Sequence, residues 1–149
     1  MESIVTPRCI IRALEPGDIE PMYIWENDPE IWRIGANTAY VSKARLARFI
    51  EEQNYDIYAT HQMRLAIEAE GKIVGSVDIM EFDPQHLRFA LGILIYDKSE
   101  RRKGYAREVI EAIKNYGLNT LNIKQIWVEI DDFNKPSIAL FEGCGFERC

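Results

Sequence analysis

Ala90 to Leu121 reads ALGILIYDKSERRKGYAREVIEAIKNYGLNTL, and a change of period inside this stretch decides the fold. Ala90 to Tyr96 is a short apolar run of strand length, whereas Ala106, Val109, Ile110, Ile113 and Tyr116 recur at helical spacing. Between them lies Arg101-Arg102-Lys103-Gly104-Tyr105-Ala106. A tight turn that opens a helix leaves its first amide N–H groups without intrahelical partners, pointing forward where the helix dipole also favours negative charge. The segment therefore reads as an anion cradle. Gly104, with no Cβ and a tolerance for positive φ, would let the backbone approach a bulky anion closely.

Charge agrees with that reading. The chain carries 24 acidic and 18 basic residues, yet Lys98, Arg101, Arg102, Lys103 and Arg107 crowd together beside Asp97 and Glu100 only. A basic cluster on an acidic chain suits a phosphate-bearing ligand. The plain alternative is a solvated basic helix entrance with no ligand, and the glycine at the junction argues against it.

With 149 residues, 47% of them hydrophobic and 28% charged, the chain reads as one domain large enough to bury a real core. No apolar run approaches the ~18 residues of a membrane span, and MESIVTPRC at the start lacks the apolar stretch of a secretory signal, so the expected compartment is the cytoplasm. Cys9, Cys144 and Cys149 are odd in number and form no ligand spacing with histidine, which implies reduced thiols rather than disulfides or a metal site. A net charge of −6 argues against nucleic acid as a partner and is compatible with cationic substrates.

Upstream, Arg8 to Leu14 reads as a strand, and Glu15-Pro16-Gly17-Asp18 as a turn with Asp18 the N-cap of a short helix from Ile19 to Glu26. Glu15, Asp18, Glu20, Glu26, Asp28 and Glu30 fall here with no basic residue among them, either an ordinary exposed face or a funnel for a cationic amine. Ile31 to Tyr40 reads as irregular. Ser42 caps a helix predicted from Lys43 to Asn54, with Leu46, Phe49 and Ile50 on one face. Met63 to Glu70, Ile73 to Phe82 and Leu87 to Tyr96 then form an antiparallel meander, with turns at Gly71-Lys72 and Asp83-Pro84-Gln85. Gly75 inside a strand signals a bulge or a close approach. Lys124 to Ile130 is a strand expected to lie parallel to Leu87–Tyr96 through a right-handed crossover, and Pro136 opens a last helix over Ser137 to Glu142, ended by Gly143 or Gly145.

Two motifs carry a family resemblance. Arg101-x-x-Gly104-x-Ala106 resembles the Gln/Arg-x-x-Gly-x-Gly/Ala loop of the GCN5-related N-acetyltransferases, which holds the pyrophosphate of acetyl-CoA. Asn134-Lys135-Pro136-Ser137-Ile138-Ala139-Leu140-Phe141-Glu142-Gly143-Cys144-Gly145-Phe146 resembles that family's Asn-x-x-Ser/Ala-x-x-x-Tyr-x-x-x-Gly-Phe segment. The pair, in the right order, is far more specific than either alone. Arg12-Ala13-Leu14-Glu15-Pro16-Gly17-Asp18 and Trp25-Glu26-Asn27-Asp28-Pro29 resemble the opening of the branch that acetylates ribosomal-protein N-termini and polyamines.

The resemblance implies an α/β fold with a mixed, mostly antiparallel sheet, a parallel strand pair forming the CoA cleft, and helices on both faces. It implies acetyl-CoA as cosubstrate, no metal, and a primary amine as acceptor. Arg101, Arg102, Lys103, Gly104, Tyr105 and Ala106 would meet the pyrophosphate, Ile93, Leu94 and Ile95 the pantetheine, and Asn134, Ser137 and Phe141 the other wall. The family continues with two more strands beside the fifth, for which this sequence leaves no room, so that either the chain is truncated or a partner supplies the missing edge. That departure implies an exposed sheet edge, with dimerisation or reduced stability as the consequence.

The proton chemistry departs too. A tyrosine that protonates the leaving thiolate in many relatives is matched here by Phe141, and a glutamate often used as base would fall near Leu91. Asn134, Tyr105 and Glu81 are the catalytic candidates that remain, with Tyr96, Tyr116, Asp78, Glu129 and Asp131 as further substitutes. Holding a lysine-type amine neutral at pH 7 costs about 4.6 kcal/mol and an α-amino group only about 1, so a site without a strong base suits the second. The rival is a CoA-binding module that has lost catalysis, and a third reading is an interaction domain that binds no CoA.

Overall fold

The computed structural model describes residues 2–34, 40–53, 55–96, 100, 101 and 103–149. Six strands form one sheet in sequential order: β1 (Ile4–Val5), β2 (Cys9–Ala13), β3 (Met63–Ala69), β4 (Lys72–Asp83), β5 (Arg88–Ile95) and β6 (Gln125–Trp127). All neighbours are antiparallel except β5 and β6, which run parallel as the intervening helix requires. The helices are α1 (Ile19–Glu26), α2 (Pro29–Ile34), α3 (Lys43–Glu51), α4 (Ile57–Thr60), α5 (Tyr105–Asn119) and α6 (Lys135–Gly143). Among the described residues, no helix is long and apolar enough to cross a membrane.

Alternation along the strands sends side chains to two faces. Ile11, Leu65, Ile67, Val77, Ile79, Phe89 and Leu91 are buried on one face with Val109, Ile110 and Ile113 of α5, and this is the main core. On the opposite face Ala66 packs with Leu14, Met22 of α1, and Leu46 and Ile50 of α3. The sheet is thus covered on both sides, and the end of β5 lies between the two helical layers.

The meander forms as its turns predict. Glu70 and Gly71 occupy the β3–β4 turn with φ of 52° and 76°, the pair of positive values that a two-residue hairpin needs. Gly75 combines both readings of a strand glycine: the register jumps from Ile67↔Gly75 to Glu68↔Ile73, and a Cβ on Gly75 would lie 2.2 Å from the Leu94 carbonyl oxygen.

Several boundaries move. The first long strand is Cys9–Ala13 rather than Arg8–Leu14, and α3 ends at Glu51, with Asn54 outside the described residues. Part of the stretch read as irregular is α2, while β1 and α4 carry too few residues to show a period. Asp18 does not cap α1. Its carboxylate accepts from the Glu15 amide at 2.8 Å and from Arg12 at 2.9 and 3.0 Å, closing the 3-10 turn Pro16–Asp18 instead. The last strand keeps only Gln125–Trp127 of the predicted Lys124–Ile130, and α6 begins two residues before Ser137.

Candidate active site

The parallel pairing of β5 and β6 is short. Arg88, Phe89 and Ala90 pair with Gln125, Ile126 and Trp127, and beyond these the two chains part. The Tyr96 amide donates to the Val74 carbonyl at 3.0 Å, which sets the phase of the β4–β5 ladder. With that phase, the backbone groups of Gly92 and Leu94 face β4, while those of Leu91, Ile93 and Ile95 face the opening. Of the three residues expected along the cleft, Ile93 turns its amide and carbonyl to that edge and Ile95 its amide, the Ile95 carbonyl being taken by Arg101, while Leu94 turns its backbone to β4.

The chain crosses from β5 to the loop through residues 97–99, which lie outside the described residues together with Arg102. Glu100 is buried, and Lys72 at 2.8 Å and Lys103 at 2.9 Å close on its carboxylate, holding its pKa below the usual range. Arg101 Nε donates to the Ile95 carbonyl at 3.0 Å. Among the described residues, the basic side chains of this cluster are engaged with the protein: Lys103 with Glu100, Arg101 with the end of β5, and Arg107 with the Gly143 carbonyl at 3.0 Å.

Gly104 adopts φ 85° and is the N-cap of α5, and its carbonyl accepts from Glu108 N at 3.1 Å. Among the described residues, no protein group accepts from the amides of Gly104, Tyr105 and Ala106. These are the orphan donors of a fifteen-residue helix, backed by its dipole. The glycine serves a second purpose: a Cβ here would come within 3.0 Å of the Arg8 guanidinium, which approaches the loop from behind.

Across the opening, Asn134 Oδ1 caps α6 by accepting from Ser137 N at 3.3 Å, and Pro136 sits in the first turn. The helix ends in a Schellman arrangement, with Gly145 at φ 93° and the Phe146 amide reaching the Phe141 carbonyl at 3.0 Å. Phe141 is 4% exposed and packs edge-to-face on Phe146 with centroids 5.2 Å apart, so the ring belongs to the core.

The proton-transfer candidates scatter. Tyr105 is buried in the main core beneath Arg8, whose guanidinium lies 5.0 Å from the ring centroid. Glu81 sits exposed at φ 49° on a bulge between Met80 and Asp83, at the end of β4 away from Ile93 and Ile95. Tyr116 lies near the far end of α5, and Glu129 and Asp131 are exposed on the segment after β6. Glu81 thus lies away from the opening, whereas Glu129 and Asp131 lie on the chain that leaves β6 where the strands part.

Tyr96 and Asp78 instead join a polar cluster on the α1 face. The Tyr96 hydroxyl bonds Ser76 Oγ at 2.8 Å and lies 3.4 Å from Glu26 Oε1, and its ring stacks on Trp25 at 4.4 Å. Burial pushes its pKa up to about 12. Arg64 grips Asp78 with Nε at 2.7 Å and Nη2 at 3.0 Å, and reaches Glu26 at 3.4 Å. Cations thus answer much of the acidic run, with Arg12 on Asp18, Lys43 on Glu20 and Arg64 on Glu26. These partners come from other elements, which is why sequence order alone shows a bare negative stretch.

Residues 8–147 match the family described as acetyltransferase (GNAT) domain. The spermidine N(1)-acetyltransferase of Vibrio cholerae is 28% identical over 91% of this chain and 77% of that protein. Among solved structures, the fold is similar to the Vibrio cholerae spermidine N-acetyltransferase in complex with CoA and spermine, with a TM-score of 0.82 and 24% identity over 95% of this chain and 82% of that one. A Bacillus anthracis acetyltransferase of the GNAT family also gives a TM-score of 0.82, at 19% identity over 99% and 84% of the two chains.

Proposed function

The chain belongs to the acetyltransferase (GNAT) domain family, and we propose on that footing that it moves the acetyl group of acetyl-CoA to a primary amine of the α-amino type. The observation that carries this is the set of free amides at Gly104, Tyr105 and Ala106, which open α5 beside the parted strands β5 and β6. Acetyl-CoA brings an acyl group activated as a thioester. The chain supplies the rest. Gly104, Tyr105 and Ala106 bind the diphosphate through N–H groups, and Ile93 and Ile95 pair with the pantetheine amides as an added strand would. An N–H on the same edge of β5 orients and polarises the thioester carbonyl. Asn134, whose Oδ1 is held by the α6 cap, offers its amide nitrogen to the other side of the cleft.

The amine nitrogen then forms the C–N bond as the C–S bond breaks, and one proton leaves the nitrogen while the thiolate takes one up. Asp78 is held by Arg64, Glu81 lies at the other end of β4, and Phe141 has no proton to give. An acceptor that is already partly neutral at pH 7 meets this limitation: about 1 kcal/mol suffices for an α-amino group, against about 4.6 for a polyamine or lysine nitrogen. The cationic partners of Asp18, Glu20 and Glu26 also weaken the field that would draw a polyamine. Thiol release should therefore be faster with a peptide N-terminus than with spermidine at pH 7. A large preference for spermidine overturns the acceptor assignment.

Phe141 favours one second reading, a CoA-binding module without turnover. CoA binding with no thiol release across peptides, amino acids and polyamines would establish that reading in place of the first.

A further inference from the structure

The loop before α5 is held from behind by a residue 95 positions earlier in the chain. Arg8, between β1 and β2, donates Nη1 to the Lys103 carbonyl and Nε to Glu108 Oε1 at 3.0 Å, and its backbone amide donates to Glu108 Oε2 at 2.9 Å. The hydroxyl of Thr6 bonds the same carboxylate. The guanidinium also covers the Tyr105 ring and occupies the space a Cβ on Gly104 would need. Arg8 therefore touches Lys103, Gly104, Tyr105 and Glu108, four consecutive or near-consecutive members of the segment that carries the free amides.

The direction of these contacts matters. They take up a carbonyl and a carboxylate, the groups that would repel an anion, and leave the N–H groups open. Glu108 lies in the first turn of α5, where a bare carboxylate would compete with a bound phosphate for the helix terminus. Burial pushes the Glu108 carboxyl up, but hydrogen bonds from Thr6 and Arg8 outweigh it and hold the group at about 2, ionised and fully engaged. At the other end of the loop Glu100 holds Lys103 and Lys72 instead, which leaves the backbone N–H groups as the donors there.

We propose that Arg8 is a positioning residue for the diphosphate loop: with Thr6 and Glu108 it turns the Lys103 carbonyl away and fixes the amides of Gly104 to Ala106 toward the ligand. This rests on the CoA reading above, since it assigns that loop the diphosphate. Arg8 itself does not touch the anion, so the effect is on cosubstrate affinity rather than on the chemical step.

Calorimetric binding of CoA to the full-length protein tests it, with Arg8→Met, Glu108→Gln and the double variant beside the wild type. Arg8→Met should raise the Kd for CoA roughly tenfold, Glu108→Gln should do similarly, and the double variant should be no worse than either single one, because both break the same unit. In turnover the loss should fall on KM for acetyl-CoA with kcat changed less than about twofold, and Arg8→Lys should recover only part, since an ammonium cannot reproduce the forked contact. A merely structural role would lower Tm without this split. Wild-type binding with Arg8→Met and Glu108→Gln both within twofold of it overturns the brace and leaves the CoA reading standing. No binding by the wild type overturns both.

Discussion

Gly104 shows how one missing side chain serves several demands at once. Its φ of 85° starts α5, and its open side admits the Arg8 guanidinium at 3.0 Å from where a Cβ would sit. Gly104→Val puts a β-branched residue into left-handed backbone and pushes Arg8 off the loop. We expect a stability loss of about 1–3 kcal/mol by denaturant titration, and CoA affinity weakened tenfold or more by calorimetry. Arg64 makes the complementary case on the other face. Burial opposes its charge, but the hydrogen bonds it donates to Asp78 and the nearby negative charges of Asp78 and Glu26 together raise its pKa. Arg64→Met would leave Asp78 and Glu26 without their shared cation, for an expected loss of about 2 kcal/mol, less than for a fully buried pair because both partners keep some solvent.

At the scale of elements, the parallel strands β5 and β6 part after Ala90 and Trp127, and β5 is kept in phase by its tight contact with β4 at Gly75. An alanine there would place its Cβ 2.2 Å from the Leu94 carbonyl oxygen. Gly75→Ala should therefore force β4 and β5 apart, costing about 2–3 kcal/mol in chemical denaturation and disturbing Ile93 and Ile95 at the cleft. The elements differ in how readily sequence reveals them. α5 and the meander are legible because Val109, Ile110 and Ile113 repeat at helical spacing, and Leu65, Ile67, Val77 and Ile79 alternate. β1 has two residues and α4 four, too short for any period to emerge. β6 ends early because its length is set by where the strands separate, a tertiary matter that its β-branched composition does not encode.

Across the whole molecule, the contacts that organise the candidate site are long-range, and these were the least legible. The loop's position could be read from Gly104 and the strand-to-helix junction, but the engagement of Lys103 by Glu100, and of Glu108 by Arg8, joins segments far apart in the chain. A local count of charges thus overstated the free positive charge at the loop and the free negative charge on α1. The same pairs govern the response to acid. Glu108 has a folded pKa of about 2, below its unfolded value near 4.5, so its stabilisation is present above about pH 4.5 and is lost as pH falls toward 2. Glu100, also lowered, contributes in the same direction. Thermal melts should show Tm declining through that window, and Glu108→Gln should melt lower at neutral pH while declining less on acidification.

The claim on which the enzyme reading stands is that the amides opening α5 bind a diphosphate, and backbone NMR during a CoA titration addresses it most directly. The amide resonances of Gly104, Tyr105 and Ala106 should move downfield together and saturate with CoA, ahead of those on the α1 face. Saturable CoA binding that leaves those three resonances in place, or no binding at all, would contradict it.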